Sequence, residues 1–448
     1  LCESETGIVL PAQAGTSPEF VLRETACDLR QSFCYSFIPF YPLRNYYWQG
    51  ADIMDHFQIH APTQIIFGKN TESEAGKWCK YYGAHKVLVH FGGHSAKKSG
   101  LLDRVCASLQ DAGLEYVLLG GVVPNPQLSM VKKGVELCRE ENVDFILAVG
   151  GGSVIDSAKG IGYGLANPGD VWDYYAKKKE ITACAPLGAV LTIAAAGSEM
   201  SNCSVITNED GMLKRGLSTD YGYCKFAIMN PELTYTLPAY QTASGCTDIM
   251  IHTLERYFTA PSTHQLALID GIAETLLRNV MRYAKIALKE PNNYDARAEI
   301  MWSGTLSHNE TTGDRTFGDW SCHQLEHELS SMFGVAHGAG LAAVWGSWAR
   351  YVYKENIGRF AQLAANVFHI PYNFRNPEAT ALEGIAAMES FFHHIGMPTS
   401  IHELIGKDLT EEEIKELAYK CSFMNTRTIG QFKVLTIEDM ENIYRAAK

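Results

Sequence analysis

The chain has no excess of basic residues. Lys and Arg number 38 against 50 Asp and Glu, a formal net charge of −12 at pH 7. A nucleic-acid binder shows a basic stripe, so this balance argues against such a partner. No apolar run is long enough to span a bilayer, which argues against a membrane role. Twelve cysteines occur, but without the short regular spacings of a disulfide framework or a zinc ribbon. Reduced thiols in a cytoplasm are the simpler account. Two common phosphate-binding patterns are missing. Ile155 stands where G-x-G-x-x-G needs its last glycine, and no Gly-Lys-Ser/Thr follows a glycine run. No Asp or Glu occurs between Phe91 and Leu102. Residues 1–53 lack the basic start and apolar core of a secretory signal. They open on Leu1 and end just before Met54, and the pattern is irregular throughout. We expect them to be an extension of doubtful origin, outside the fold, with Met54 as the natural start.

What is present reads as a soluble enzyme of two or three domains. The chain has 448 residues, 46% of them hydrophobic and 20% charged. From Phe57 strands and helices alternate. A short strand pair over Phe57–Phe67 is followed by strands at Lys86–Phe91, Tyr116–Leu119, Asp144–Val149 and Val190–Ile193. The helices between them run through Gln110, through Asn142 and from Val154. This alternation predicts a parallel sheet covered by helices. From Ala239 the strand pattern stops and long helices follow, among them Leu266–Lys289, Gly340–Tyr353 and Glu378–Ile395. The expected domains are therefore 54–238, α/β and dinucleotide-binding, and 239–448, helical and carrying a metal and substrate.

Two strand–glycine–helix joints bear on a cofactor. At Gly150-Gly151-Gly152-Ser153 the glycines let phosphate oxygens approach the backbone, and the next helix offers free N–H groups. At Gly92-Gly93-His94-Ser95-Ala96-Lys97-Lys98 the loop is placed to meet the adenosine ribose. An NAD-selective site keeps a carboxylate there. A hydroxyl and two lysines instead favour a 2′-phosphate, hence NADP(H) over NAD(H). The metal signal lies in the second half. His323, His327 and His337 fall within fifteen residues, the first two sharing a helical face. Asp248 and His252 form a second i,i+4 pair. One carboxylate and three or four imidazoles suit Fe²⁺ or Zn²⁺ with a position left open for substrate.

With these residues together, the chain from about 54 resembles the iron-containing (group III) alcohol dehydrogenases. Within them it most resembles the NADPH-dependent butanol dehydrogenases. The motifs are Gly150-Gly151-Gly152-Ser153-x-x-Asp156, Pro124-Asn125-Pro126, Gly197-Ser198-Glu199, Asp248-x3-His252 and His323-x3-His327-x9-His337. The resemblance implies an α/β nucleotide-binding domain, an all-α metal domain and a homodimer. It implies Asp248, His252, His323 and His337 as metal ligands, with His327 beside the nicotinamide. It places Asn125, Gly151, Gly152, Ser153, Asp156, Thr192, Lys214 and Leu233 against the cofactor. Gly93 and Ser95, in the loop opened by Gly92, match the 2′-phosphate loop, and His94 replaces the Asp of NAD-preferring members. Ala196 departs from the family, where a threonine is usual.

The expected reaction is hydride transfer between NADP(H) and a small alcohol or aldehyde such as butanol or butanal. His327 is a candidate to relay the proton. Apolar residues near the metal segments (Ile249, Met250, Leu325, Met332, Phe333, Val335) favour an apolar substrate. Glu255 and Arg256 read as surface or helix-pair charges. The same fold also serves a sugar-phosphate lyase, dehydroquinate synthase, and non-catalytic assembly proteins. The lyase needs several cleft cations, and an assembly protein has no use for the ligand set.

Overall fold

Continuous apolar runs with one residue type on both faces make strands that are buried on both faces. Phe145–Gly150 is such a run and Lys86–Phe91 is largely one, and the two pair side by side inside the sheet. The computed structural model describes residues 59–259, 267–313 and 318–448. The extension read over residues 1–53 and the first part of the strand pair at Phe57 lie outside the described residues. The described residues belong to one compact unit, Ile53–Lys448.

The strands are β1 (Gln64–Phe67), β2 (Lys86–Phe91), β3 (Glu115–Leu119), β4 (Phe145–Gly150), β5 (Leu187–Leu191), β6 (Cys203–Asn208), β7 (Leu213–Ser218) and β8 (Phe226–Met229). Six of them form a parallel sheet in the order β1-β8-β5-β4-β2-β3. The helices of this half are α1 (Ala75–Tyr81), α2 (Ser95–Lys98), α3 (Leu101–Asp111), α4 (Leu128–Glu140), α5 (Gly152–Ala166) and α6 (Trp172–Tyr175). Successive strand residues face opposite sides. Val87, Val89, Phe145 and Leu147 pack with Cys79, Val105 and Leu109 of α1 and α3. Leu88, Ile146 and Ala148 pack on the other face with Val131, Ile155 and Ile161 of α4 and α5.

The winding reverses between β2 and β4, because β3 lies outside β2 and β5 outside β4. Such a switch point opens a crevice at the carboxyl ends of the strands. Both glycine joints stand there: Gly92 follows β2, and Gly151 follows β4.

Three differences from the sequence reading concern strands. The pair expected over Phe57–Phe67 is, among the described residues, the single strand β1, which pairs with β8. The strand expected at Val190–Ile193 lies slightly earlier, as β5. The antiparallel hairpin β6–β7 was not anticipated.

After Pro238 the chain is helical, with α7 (Ala239–Tyr257), α8 (Ala267–Lys289), α9 (Tyr294–His308), α10 (Ser321–Phe333), α11 (His337–Val352), α12 (Ile357–Phe368), α13 (Pro377–His394), α14 (Ile401–Ile405), α15 (Glu411–Cys421) and α16 (Ile437–Ala446). Helix α15 starts on a capping box between Thr410 and Glu413. Gly334, left-handed at φ 67°, ends α10 and lets α11 begin at His337. The hairpin joins the halves. Lys214 donates to Ser330 Oγ at 2.8 Å, and Arg215 pairs with Glu328 at 2.8 Å. The described helices include none long and apolar enough to cross a membrane, and nine cysteines among the described residues are free thiols.

Candidate metal and nucleotide site

Asp248 and His252 stand one turn apart on α7, so both point to the same side of it. His323, in the first turn of α10, is brought against them. One ligand atom from each of Asp248, His252 and His323 lies within 4.8 Å of the others, and all three residues are buried. His252 Nδ1 is 3.0 Å from Asp248 Oδ1, and His323 Nε2 is 3.8 Å from the same oxygen. His337, opening α11, brings Nε2 to 3.6 Å from Asp248 Oδ1. It stands one step out from the tight trio, in a second cluster with Glu326 and His327.

Two carboxylates hold the histidines from behind. His323 Nδ1 pairs with Glu255 Oε1 at 3.0 Å, and the His323 backbone N–H donates to the same oxygen at 2.9 Å. His337 Nδ1 pairs with Glu326 Oε2. Each contact takes up Nδ1 and leaves Nε2 as the atom turned toward Asp248, the carboxylate–histidine arrangement that orients metal-binding imidazoles. Glu255 is 2% exposed and Glu326 fully buried. Of the expectation that Glu255 and Arg256 are surface or helix-pair charges, the surface alternative is therefore corrected, while Glu255 does pair one helix with another. Both are buried, and Arg256 donates to the carbonyls of His252 and Ser307.

Burial favours the neutral form of Asp248, but His252 and His337 outweigh it and hold its carboxyl well below the usual range. Burial pushes His252 down to about 4. It pushes His323 the same way, but Asp248 and Glu255 prevail and leave it at about 9. Asp248 Oδ1 and His323 Nε2 are buried with no hydrogen bond. Leaving such atoms unpaired costs about 1–3 kcal/mol each. A divalent cation resolves both, and the mixed N/O set fits Fe²⁺ or Zn²⁺.

This set opens onto a cleft of about 1320 Å³ between the sheet half and the helical half. Its walls include Asn125, Gly152, Ser153, Asp156 and Lys214 on one side, and Asp248, His252, His323, His327 and His337 on the other. A Cβ on Gly151 would come within 3.1 Å of Ile193, and one on Gly152 within 3.3 Å of Ala196. Bare backbone is what a phosphate cradle at a helix N-terminus requires.

Other candidates are placed differently. Gly92, Gly93, Ser95, Gly151, Thr192 and Leu233 follow the carboxyl ends of β2, β4, β5 and β8 but are not among the residues lining this cleft. Gly93, His94 and Ser95 are exposed, and Leu233 packs against the α1–α3 side of the sheet. Asp156 lines the cleft, but both its oxygens are taken, by Ser198 Oγ and by the Val205 N–H. It fixes the loop after β5 to α5. Lys159, unmarked in the sequence reading, does the same more firmly. Its buried Nζ donates to the carbonyls of Ser198, Ser201 and Cys203 at 2.7–2.8 Å.

The apolar lining expected near the metal is also corrected. Ile249, Met250 and Leu325 are fully buried in the core, Met332 and Phe333 pack against that core, and only Val335 of the six reaches the cleft. The residues lining it instead include His308, Glu310, Arg256 and Trp320.

Two family models match the chain. One, iron-containing alcohol dehydrogenase, covers residues 62–231; the other, the C-terminal part of the Fe-containing alcohol dehydrogenase family, covers residues 242–448. The NADH-dependent butanol dehydrogenase A of Clostridium acetobutylicum is 38% identical over 391 residues, 87% of this chain and 98% of that protein. The NADPH-dependent aldehyde reductase YqhD of Escherichia coli is 34% identical over 398 residues, 88% of this chain and 100% of that protein. The crystal structure of NADH-dependent butanol dehydrogenase A from Thermotoga maritima matches with a TM-score of 0.84 and 38% identity, over 88% of this chain and 99% of its own. Sheet, helical half and buried Asp/His cluster thus have one explanation, and the chain belongs to the iron-containing alcohol dehydrogenase family.

Proposed function

We propose that this chain is a metal-dependent alcohol dehydrogenase and aldehyde reductase that moves hydride between NADP(H) and a small primary alcohol or aldehyde, with butanol and butanal as working substrates. One observation carries the reading: the glycine cradle at the N-terminus of α5 and the buried Asp248–His252–His323 set share one cleft. When bound, the ion supplies Lewis acidity toward the substrate oxygen and the nicotinamide supplies or takes the hydride. Asp248, His252, His323 and His337 hold the ion in this reading, with Glu255 and Glu326 orienting two of the imidazoles. Gly151, Gly152, Ser153 and Asn125 receive the cofactor phosphates, with Thr192, Lys214 and Leu233 placed along it and Asp156 fixing the neighbouring loop.

His327 lies beside His337, ring centroids 5.7 Å apart. Burial first, and then the Lys214 charge, keep it neutral. A neutral imidazole there takes the alcohol proton and passes it on. The variant His327→Ala is expected to keep its metal and lose turnover; loss of metal makes it a ligand instead.

The choice of NADP(H) rests on Gly92–Lys98, which lacks a carboxylate. The relatives' own names include both nucleotides. The test is NADPH and NADH oxidation with butanal, on protein prepared without oxygen and loaded with Fe²⁺ or Zn²⁺. The expected result is metal-dependent turnover, with kcat/KM at least about tenfold higher for NADPH. A preference for NADH overturns the loop reading and leaves the metal site standing. The proposal includes a cytoplasmic homodimer, whose assembly light scattering measures directly.

The lyase alternative draws support from cations that do line the cleft. Most are engaged: Lys214 with Ser330 and Glu326, Arg215 with Glu328, Arg427 with the Cys421 carbonyl, and Arg256 with two carbonyls.

A further inference from the structure

Glu326 stands behind the wall of the cleft, not in it. It is fully buried and is not among the lining residues, whereas Lys214 and His337 both are. Its Oε2 is shared between those two. Lys214 Nζ lies 3.4 Å from that oxygen, and His337 Nδ1 pairs with the same atom. Oε1 is buried with no hydrogen bond among the described residues. A Cβ on Gly340 would stand 2.8 Å from Oε1, so α11 closes that side. The carboxylate thus serves two groups through one oxygen.

The two groups belong to different halves of the protein. Lys214 stands on β7, and His337 opens α11. Lys214 also donates to Ser330 Oγ at 2.8 Å, and Asn125 Nδ2 donates to the Ser330 carbonyl at 3.5 Å. Two residues that receive the cofactor in the function proposed above therefore rest on α10. Ser330 follows Glu326 by four residues and His323 by seven, so these three share one stripe of that helix. A nucleotide in the cleft meets Lys214 directly and reaches Glu326 only through it. A phosphate beside Lys214 offsets its charge and competes for its N–H donors. Glu326 then keeps more of its own charge for His337. A carboxylate that holds one imidazole nitrogen more strongly makes the other a better metal ligand. Burial enlarges the effect, since little water screens these charges.

We propose that Glu326 is a positioning residue that couples the two binding sites. Nucleotide held at Lys214 tightens metal binding at His337, and metal tightens nucleotide binding by the same factor. This rests on the alcohol dehydrogenase reading and adds a link between its two cofactors.

The test measures Zn²⁺ affinity on the metal-free chain by competition against a chelator, with and without saturating NADPH, or NADH if the chain prefers it. In the wild type the nucleotide is expected to tighten Zn²⁺ by about fivefold or more. Glu326→Gln keeps the size and loses the charge, and most of that factor disappears. Glu255→Gln is the control. Glu255 pairs with His323 and has no contact with Lys214 among the described residues. Its variant binds Zn²⁺ more weakly and keeps the wild-type factor. Lys214→Met gives a readout that mere damage would not. Without nucleotide it binds Zn²⁺ more tightly than the wild type, by about threefold or more, and the gain vanishes when Glu326→Gln is added. A weaker affinity in Lys214→Met, or a gain that survives Glu326→Gln, overturns the proposal. An undiminished factor in Glu326→Gln, or no nucleotide effect in the wild type, does the same. If Glu326→Gln does not fold, the wild type and Lys214→Met decide. Failure of the wild type to bind Zn²⁺ or either nucleotide at all overturns the enzyme reading itself.

Discussion

Glu255 shows what a single residue contributes behind the proposed metal ligands. It follows Asp248 by seven residues and His252 by three, so all three share one stripe of α7. Its Oε1 receives both the ring and the backbone N–H of His323. Replacing it with Gln removes the charge and leaves the size. The variant Glu255→Gln is expected to bind Zn²⁺ about 10–100-fold more weakly, as loss of such an orienting carboxylate does elsewhere. Competition against a chelator measures this, and an unchanged affinity removes Glu255 from the site. The companion Asp248→Ala should lose most of its metal. The i,i+4 pair of Asp248 and His252 was legible in the sequence because it repeats at His323 and His327. Glu255 lay on the same stripe and was readable in principle, but a charged pair beside Arg256 resembles an exposed helix face. His308 carried no such signal. It has no periodic partner, and only the approach of α9 to α7 brings it to His252.

Elements were legible where burial is simple. Strand β4 is a fully apolar run and β2 a largely apolar one, every residue but Lys86 is buried, and their sequences say so. The hairpin β6–β7 was not legible, because its strand Leu213–Ser218 carries Lys214 and Arg215 at buried positions. Those side chains are buried only because Ser330, Glu326 and Glu328 of α10 receive them. A local pattern cannot show partners more than a hundred residues away. The approach of α11 to α7 is a similar case. A Cβ on Gly338 would stand 2.0 Å from the Ser244 carbonyl oxygen. Helix α7 carries Asp248 and His252, and α11 begins with His337, so this contact sets the distance between them. The variant Gly338→Ala forces the helices apart. It is expected to lose about 1–3 kcal/mol of stability and to bind metal more weakly. Urea unfolding and metal content read the two effects separately. A variant with wild-type values in both shows that the contact is not restrictive.

For the molecule as a whole, acid stability turns on a residue of the sheet. His90 lies on β2, between β4 and the edge strand β3, and is fully buried. Its Nδ1 donates to the Leu119 carbonyl of β3 at 2.9 Å, and its Nε2 accepts from Ser157 Oγ of α5 at 2.9 Å. One imidazole thus joins two strands and the cradle helix. Burial pushes its pKa down to about 4 from 6.5. The unfolded chain therefore binds a proton between those values and the folded chain does not. The stabilisation is complete above pH 6.5 and is lost as the pH falls toward 4. At 1.36 kcal/mol per pH unit, the loss by pH 4.5 amounts to about 2–3 kcal/mol. Urea unfolding at pH 7.5, 5.5 and 4.5 should show the wild type losing that much more than His90→Gln, which has no proton to gain. Parallel pH profiles for the two chains would mean that the fold accommodates a charged His90. In that case the acid sensitivity of the sheet lies in its carboxylates.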